Sequence, residues 1–257
     1  MANQKSEKIK LFQDFIDQTG GTYIFDGESS VNGFGLLFDA IQDMGLNPMV
    51  TADLRKGMFS LFNIEIINRP DLENSRFILA PNHVSDLDAL ILGLLSPNIR
   101  IVAKTDWANN GKLRQFMDLH YDLYGLDRTS LQSLRRLLAD SVHYFNDNDG
   151  SRHFLVFSQG TISDFNNNSP ERISTIAKKL SDRTGVPIIN MFIEQASLTQ
   201  PTRIVFDKPM ELSPKDDFPT AWLERELALQ NSLEPPARRP TLSHKHANNN
   251  KPGDPFF

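Results

Sequence analysis

Two periodicities divide the chain. Up to about residue 60 the apolar positions recur at helical spacing. Ile9, Phe12, Phe15 and Ile16 fall three, three and one apart, and Phe34, Leu36, Leu37, Ala40, Ile41 and Met44 make a second stripe. Such steps put side chains on one face of a helix. Gly20-Gly21 and Asn32-Gly33 interrupt the pattern. From about residue 61, short apolar runs alternate with amphipathic stretches. The runs at 62–67, 77–80, 99–103, 121–125, 154–157, 187–193 and 203–206 predict strands. Helices are predicted between them at 87–95, 112–119, 130–145 and 170–183, with a last one at 220–233. This alternation predicts an α/β fold: a mixed central sheet flanked by helices, preceded by a small helical N-terminal segment.

The organisation therefore reads as a helical segment at 1–60, a larger unit at 61–233 and a tail at 234–257. The tail, EPPARRPTLSHKHANNNKPGDPFF, has almost no apolar periodicity and reads as disordered. In the first segment, Phe12, Phe15 and Ile16 admit two roles. They either pack onto the core or form an interfacial face for peripheral membrane contact.

Composition narrows the classes. With 257 residues and 39% hydrophobic content the chain can bury a sizeable core. It has no Cys, which excludes a disulfide scaffold, a thiolate nucleophile and Cys-ligated zinc. The 27 Lys and Arg against 32 Asp and Glu give a net charge of −5, which argues against nucleic acid as a partner. The longest apolar stretch, 89–95, falls well short of the roughly 20 residues that a membrane span needs. The start, MANQKSEKIKLFQDF, has no apolar export signal. The expectation from these features is a cytoplasmic protein, at most peripheral to a membrane.

Chemistry concentrates in FILAPNHVSDLDALILGLL, residues 77–95. A buried strand runs into Pro81-Asn82-His83, and Ser85-Asp86-Leu87-Asp88 opens an apolar helix. A loop His followed by a first-turn carboxylate can fold back into a hydrogen-bonded pair. The carboxylate then fixes the imidazole tautomer and leaves the other ring nitrogen as a base. A structural alternative stands beside this, because Ser85 and Asp88 also fit a capping box and acids suit a helix N-terminus. A metal set of His83, Asp86 and Asp88 lacks a second His nearby. His120, His143 and His153 match no motif and read as structural.

Asn82-His83-Val84-Ser85-Asp86-Leu87-Asp88 resembles the Asn-His-x-Ser-x-x-Asp signature of the glycerolipid acyltransferase superfamily, which contains the bacterial 1-acyl-glycerol-3-phosphate acyltransferases. Further blocks follow in the family's order. Ile101-Val102-Ala103-Lys104 looks like its strand ending in Lys, and Tyr124-Gly125-Leu126-Asp127-Arg128 like its second motif. Phe157-Ser158-Gln159-Gly160-Thr161-Ile162-Ser163 is similar to its third motif, and Gly185-Val186-Pro187-Ile188-Ile189 to its fourth. The resemblance covers roughly residues 60 to 232.

The resemblance implies transfer of a fatty acyl group from an acyl thioester, acyl-CoA or acyl carrier protein, to a hydroxyl of a glycerophosphate or lysophospholipid acceptor in phospholipid synthesis. His83 would be the general base and Asp88 its orienting partner. Asn82, Ser85, Lys104, Arg128, Gln159, Gly160 and Thr161 would bind substrate, with no metal and no resident cofactor. Three departures touch the third motif: Gln159 replaces Glu, Ile162 replaces Arg and Ser158 replaces Pro. They put lysophosphatidate in doubt as the acceptor, while the catalytic pair stays intact. Lys104 and Arg152 are the nearest cations by sequence to compensate for Ile162. The alternatives are acylation of another lyso-lipid, such as a lyso-amino-acid lipid, and a non-catalytic acyl- or lipid-binding relative.

Overall fold

The computed structural model describes residues 7–21, 33–105, 111–147, 150–160, 162, 173–213 and 215–238. Three helices come first: α1 (Glu7–Thr19), α2 (Gly33–Asp43) and α3 (Thr51–Leu61). The chain then alternates through β1 (Ile64–Ile67), β2 (Phe77–Pro81), α4 (Leu87–Gly93), β3 (Ile99–Lys104), α5 (Gly111–His120), β4 (Asp122–Leu126), α6 (Leu131–Asn146) and β5 (His153–Leu155). It closes with α7 (Ile176–Thr184), β6 (Ile188–Ile193), β7 (Thr202–Met210) and α8 (Phe218–Asn231).

All seven expected strands form, in one mixed sheet of order β1-β7-β6-β2-β5-β3-β4. Five neighbouring pairs are parallel and β6 with β7 is antiparallel. Strands β6, β2, β5, β3 and β4 therefore run the same way, and their C-terminal ends share one edge. The central strands β2 and β6 are buried at every position, as strands covered on both faces must be. Side chains alternate between the two layers. Leu79, Ile189, Met191 and Ile193 join one core cluster, whereas Ile78, Ala80 and Ile188 join another, with Phe154, Leu180 and Trp222.

The N-terminal segment is part of this core. Phe12, Phe15 and Ile16 are buried in the cluster that holds Leu79, Leu87 and Ile91. Of the two roles expected for these three residues, their burial fits packing onto the core, where Phe12 lies against Phe15 and Phe62. Gly57 sits where an added Cβ would come within 2.9 Å of Ile41, so α3 and α2 are closely packed. Among the described residues no helix is long and apolar enough to cross a membrane.

Two boundaries differ from expectation. The helix expected at 170–183 begins at Ile176 as α7, its first expected residues 170–172 lying outside the described set. Residues 234–238, expected to open a disordered tail, are held in place. Arg203 donates to the carbonyls of Glu234 at 3.2 Å and Pro235 at 2.9 Å, and the Arg238 N–H donates to buried Glu194 at 3.1 Å. Burial pushes the Glu194 carboxyl upward, but the Arg203 guanidinium and the Arg238 N–H outweigh that and hold it below its ordinary range. The rest of the expected tail, 239–257, lies outside the described residues.

Candidate active site

Four neighbouring parallel strands end at one edge, and each delivers a motif there. β2 leads into Asn82 and His83, β3 ends on Lys104, β4 is followed by Arg128, and β5 by Phe157 to Gly160. The chain visits β2, β3 and β4 before β5 inserts between β2 and β3. A crevice outside strand carboxyl ends where the order switches is where open α/β sheets bind ligands. A cavity of about 260 Å³ lies there, lined by His83, Asp86, Lys104, Arg128, Gly160 and Ile162. Its apolar wall comes from Ala89, Ile101, Leu126, Val156 and Ile176.

The turn from β2 into α4 folds back on itself. Asp88 is fully buried, yet its carboxylate takes four donors. Oδ2 accepts from the N–H groups of Val84 at 2.6 Å and Ser85 at 2.8 Å, and Oδ1 from the Ser85 hydroxyl at 2.9 Å. The fourth is His83 Nδ1, 3.1 Å from Oδ2. The two backbone N–H groups can only donate, so the carboxylate is the acceptor of this cluster. Nδ1 therefore carries the proton, which leaves Nε2 as the basic nitrogen of a side chain that lines the cavity. The two sequence alternatives thus merge, for Asp88 organises the turn and holds the His.

A second layer fixes the imidazole. The Phe157 ring stacks on it with centroids 4.1 Å apart at 28°. The His83 backbone N–H donates to Gln159 Oε1, tying the β2 turn to the β5 turn. Gly160, in the left-handed region at φ 68°, closes the β5 turn through its N–H to the Phe157 carbonyl at 2.9 Å. The Gly160 carbonyl then accepts from Arg128 Nη1 at 2.7 Å, which orients the guanidinium at the cavity.

The expected substrate contacts divide. Lys104, Arg128 and Gly160 line the cavity. Asn82 and Ser85 do not line the cavity; both are fully buried with their polar atoms bonded inside the protein. The Asn82 carboxamide bonds both backbone groups of Ile193, and Ser85 bonds Asp88. Gln159 is also buried and acts on His83 rather than on the cavity. Thr161 lies outside the described residues. Arg152 is removed as a compensating cation. It precedes β5, at the opposite edge of the sheet, where it pairs with Asp147 at 3.5 Å.

Sequence reasoning missed two residues. Phe157 enters the sequence reading only as the first residue of a motif, and its one signal is an aromatic immediately after a strand that feeds a site. Asp86 reads in the sequence only as a helix-dipole or metal residue, but it lines the cavity. Among the described residues no group of three or more potential metal ligands forms. His153 accordingly serves the core, fully buried with Nε2 2.9 Å from the Leu72 carbonyl. Burial pushes its imidazole pKa down.

Comparison with known proteins places this geometry. A family model described as Acyltransferase matches residues 63–194, the span from β1 to the end of β6. The crystal structure of the 1-acyl-sn-glycerophosphate (LPA) acyltransferase from Thermotoga maritima is similar at 15% identity. That similarity covers 90% of this chain and 100% of the other, with a TM-score of 0.48. No curated protein matches the sequence.

Proposed function

Since the chain belongs to the acyltransferase family, we propose that it moves a fatty acyl group from an acyl thioester, acyl-CoA or acyl carrier protein, to a hydroxyl of a glycerophosphate or lysophospholipid. The observation that carries this reading is the His83 Nδ1 to Asp88 Oδ2 contact of 3.1 Å at the cavity wall. His83 Nε2 takes the acceptor hydroxyl proton as the oxygen attacks the thioester carbonyl. Buried Asp88 stabilises the imidazolium that results. Collapse of the tetrahedral intermediate breaks the C–S bond, and the imidazolium returns its proton to the departing sulfur. Attack is direct, so no acyl-enzyme forms, in keeping with a chain that lacks Cys.

The charges support an anionic substrate group. Lys104 and Arg128 line one part of the cavity, and a guanidinium suits a phosphate fork. The apolar wall suits the acyl portion near its reacting end. At about 260 Å³ the cavity falls just below the ~300 Å³ at which small-molecule sites begin, so it seats the reacting groups and not an entire lipid. Four nearby amides are excluded as oxyanion donors. Those of Val84 and Ser85 serve Asp88, that of His83 serves Gln159 and that of Gly160 serves Phe157.

Thioester consumption by the full chain tests the proposal, using acyl-CoA and acyl carrier protein donors against a panel of lyso-lipid hydroxyls. Acceptor-dependent thiol release that disappears in His83→Ala is the expected result. Release equally fast in a folded His83→Ala protein, or none with any acceptor, overturns it.

A further inference from the structure

The first helix ends against the back of the turn that carries His83 and Asp88. At its C-terminus Gly20 and Gly21 both take left-handed backbone, at φ 63° and 78°, which glycine adopts about as readily as the right-handed form. The Gly20 N–H donates to the Ile16 carbonyl at 2.7 Å, and the Gly21 N–H to the Thr19 hydroxyl at 3.2 Å. Backbone conformation alone therefore asks for glycine at both positions. Their surroundings differ. A Cβ on Gly21 would fall 2.7 Å from Leu87 Cδ1, 3.3 Å from Leu87 Cγ and 3.5 Å from Ser85 Cβ. A Cβ on Gly20 would meet the Gln195 side chain, with its terminal amide nearest. Gln195 is half-buried, and its long side chain can swing aside. Leu87 and Ser85 are fully buried, and a close-packed interior leaves them no such freedom.

Those two residues hold the carboxylate in place. Ser85 gives Asp88 its N–H, 2.8 Å from Oδ2, and its hydroxyl, 2.9 Å from Oδ1. Leu87 opens α4 immediately before Asp88. Asp88 in turn lies 3.1 Å from His83 Nδ1. A shift of Leu87 or Ser85 is thus passed to the carboxylate, and from there to the imidazole.

We infer that Gly21 is a positioning residue for acyl transfer. Lacking a side chain, it lets the end of α1 press directly on Ser85 and Leu87 and so sets the His83–Asp88 pair. The inference rests on the acyl-transfer reading and adds to it a role for the N-terminal helix. Asn82 ties the turn to β6 and Gln159 ties it to the segment after β5. The end of α1 supplies a third side.

Gly20→Ala and Gly21→Ala test this as a matched pair in the full chain. Both add one methyl at left-handed backbone, and only the second drives it into the catalytic turn. With whichever thioester and acceptor the wild type consumes, Gly20→Ala should keep kcat within about threefold of wild type. Gly21→Ala should lower kcat on the order of tenfold or more, with both KM values little changed, as a misplaced catalytic group does. Adding Leu87→Val, which shortens the side chain that the new methyl meets, should recover much of that loss. The imidazole ring NMR signals of His83, identified by their absence in His83→Ala, give a reading independent of turnover. They should match wild type in Gly20→Ala and move in Gly21→Ala. Equal kcat in the two folded alanine variants overturns the inference. So do His83 ring signals that stay in place in Gly21→Ala, or a double variant no faster than Gly21→Ala. Should Gly21→Ala not fold, Leu87→Val is read alone. Loosening the contact from the other side should lower kcat with KM unmoved, and full activity overturns the inference. A wild type that acylates no acceptor overturns the acyl-transfer reading instead, and the ring signals then still decide whether Gly21 sets the pair.

Discussion

Asn82 grips the end of β6 with both atoms of its carboxamide. Nδ2 donates to the Ile193 carbonyl at 2.9 Å, and Oδ1 accepts the Ile193 N–H at 2.7 Å, across 111 positions of sequence. The residue immediately before the proposed base is thus anchored to a central strand. The His–Asp pair stands on the sheet itself, where neighbouring loop motion cannot easily shift it.

Removing that grip should cost stability before it costs chemistry. Asn82→Ala leaves a buried N–H and a buried carbonyl without partners, each worth about 1–3 kcal/mol. Urea unfolding should show a loss of about 2 kcal/mol or more. The surviving folded protein should turn over more slowly, with acceptor KM little changed. A variant as stable as the parent would show that Asn82 does not anchor the turn.

His83→Ala should lower the rate on the order of 100-fold or more and leave the unfolding midpoint nearly unmoved. Asp88→Asn should behave differently from a simple orienting residue. An amide has one accepting oxygen in place of two and turns N–H groups toward the donors of Val84 and Ser85. Both rate and stability should fall, stability by about 1–3 kcal/mol. Asp88→Asn with full stability and full activity would remove Asp88 from both roles.

How far the sequence showed the site depends on how local each contact is. His83, Ser85 and Asp88 meet within one turn of chain, so their spacing already implied the pair. The Gln159 grip on His83 crosses 76 positions, and the Asn82 grip crosses 111. No local pattern signals either, so both residues read as substrate contacts. The same limit governs the N-terminal stripe. Phe12, Phe15 and Ile16 give one helical face whether its partner is a sheet or a membrane, and only the tertiary structure decides. Strands were legible because their apolar runs are short and bounded. The held residues after α8 were not, because Arg238 finds Glu194 only after 44 positions.

That N-terminal packing has a measurable consequence. Phe12 is fully buried and packs edge-on to Phe62 with centroids 6.0 Å apart. Phe12→Ala should destabilise by about 3–5 kcal/mol. A chain starting at residue 60 should fail to fold, since it uncovers Leu87 and Ile91 in the shared cluster. A cooperative thermal transition in that truncated chain would show that the first three helices are dispensable.

Arg128→Ala should raise acceptor KM strongly and leave donor KM nearly unchanged, because it removes one of the two cations lining the anion side of the cavity. Ile162→Arg should raise kcat/KM for lysophosphatidate, as an added cation offsets the second phosphate charge. Unchanged acceptor kinetics in Arg128→Ala would move the anion site elsewhere.

A buried acid on the far face of the sheet yields the last prediction. Glu226, on α8, is fully buried, and among the described residues neither carboxylate oxygen has a hydrogen-bond partner. Burial first, and the nearby Asp207 charge second, push its pKa well above the ordinary 4.5. The folded protein therefore keeps a proton that the unfolded chain releases near pH 4.5. Between those two pKa values the folded state binds one more proton than the unfolded state, so stability falls as pH rises. The slope for one proton is about 1.4 kcal/mol per pH unit. Glu226→Gln has nearly the same shape and no charge, so it removes this slope. Below pH 4.5 parent and variant should have similar stability. Above it the variant should gain steadily, until the parent carboxyl ionises in the folded state and the gap stops widening. Urea titrations at pH 4, 6 and 8 would measure that gap. A constant difference across the three would mean that Glu226 titrates alike in both states and that its burial is compensated.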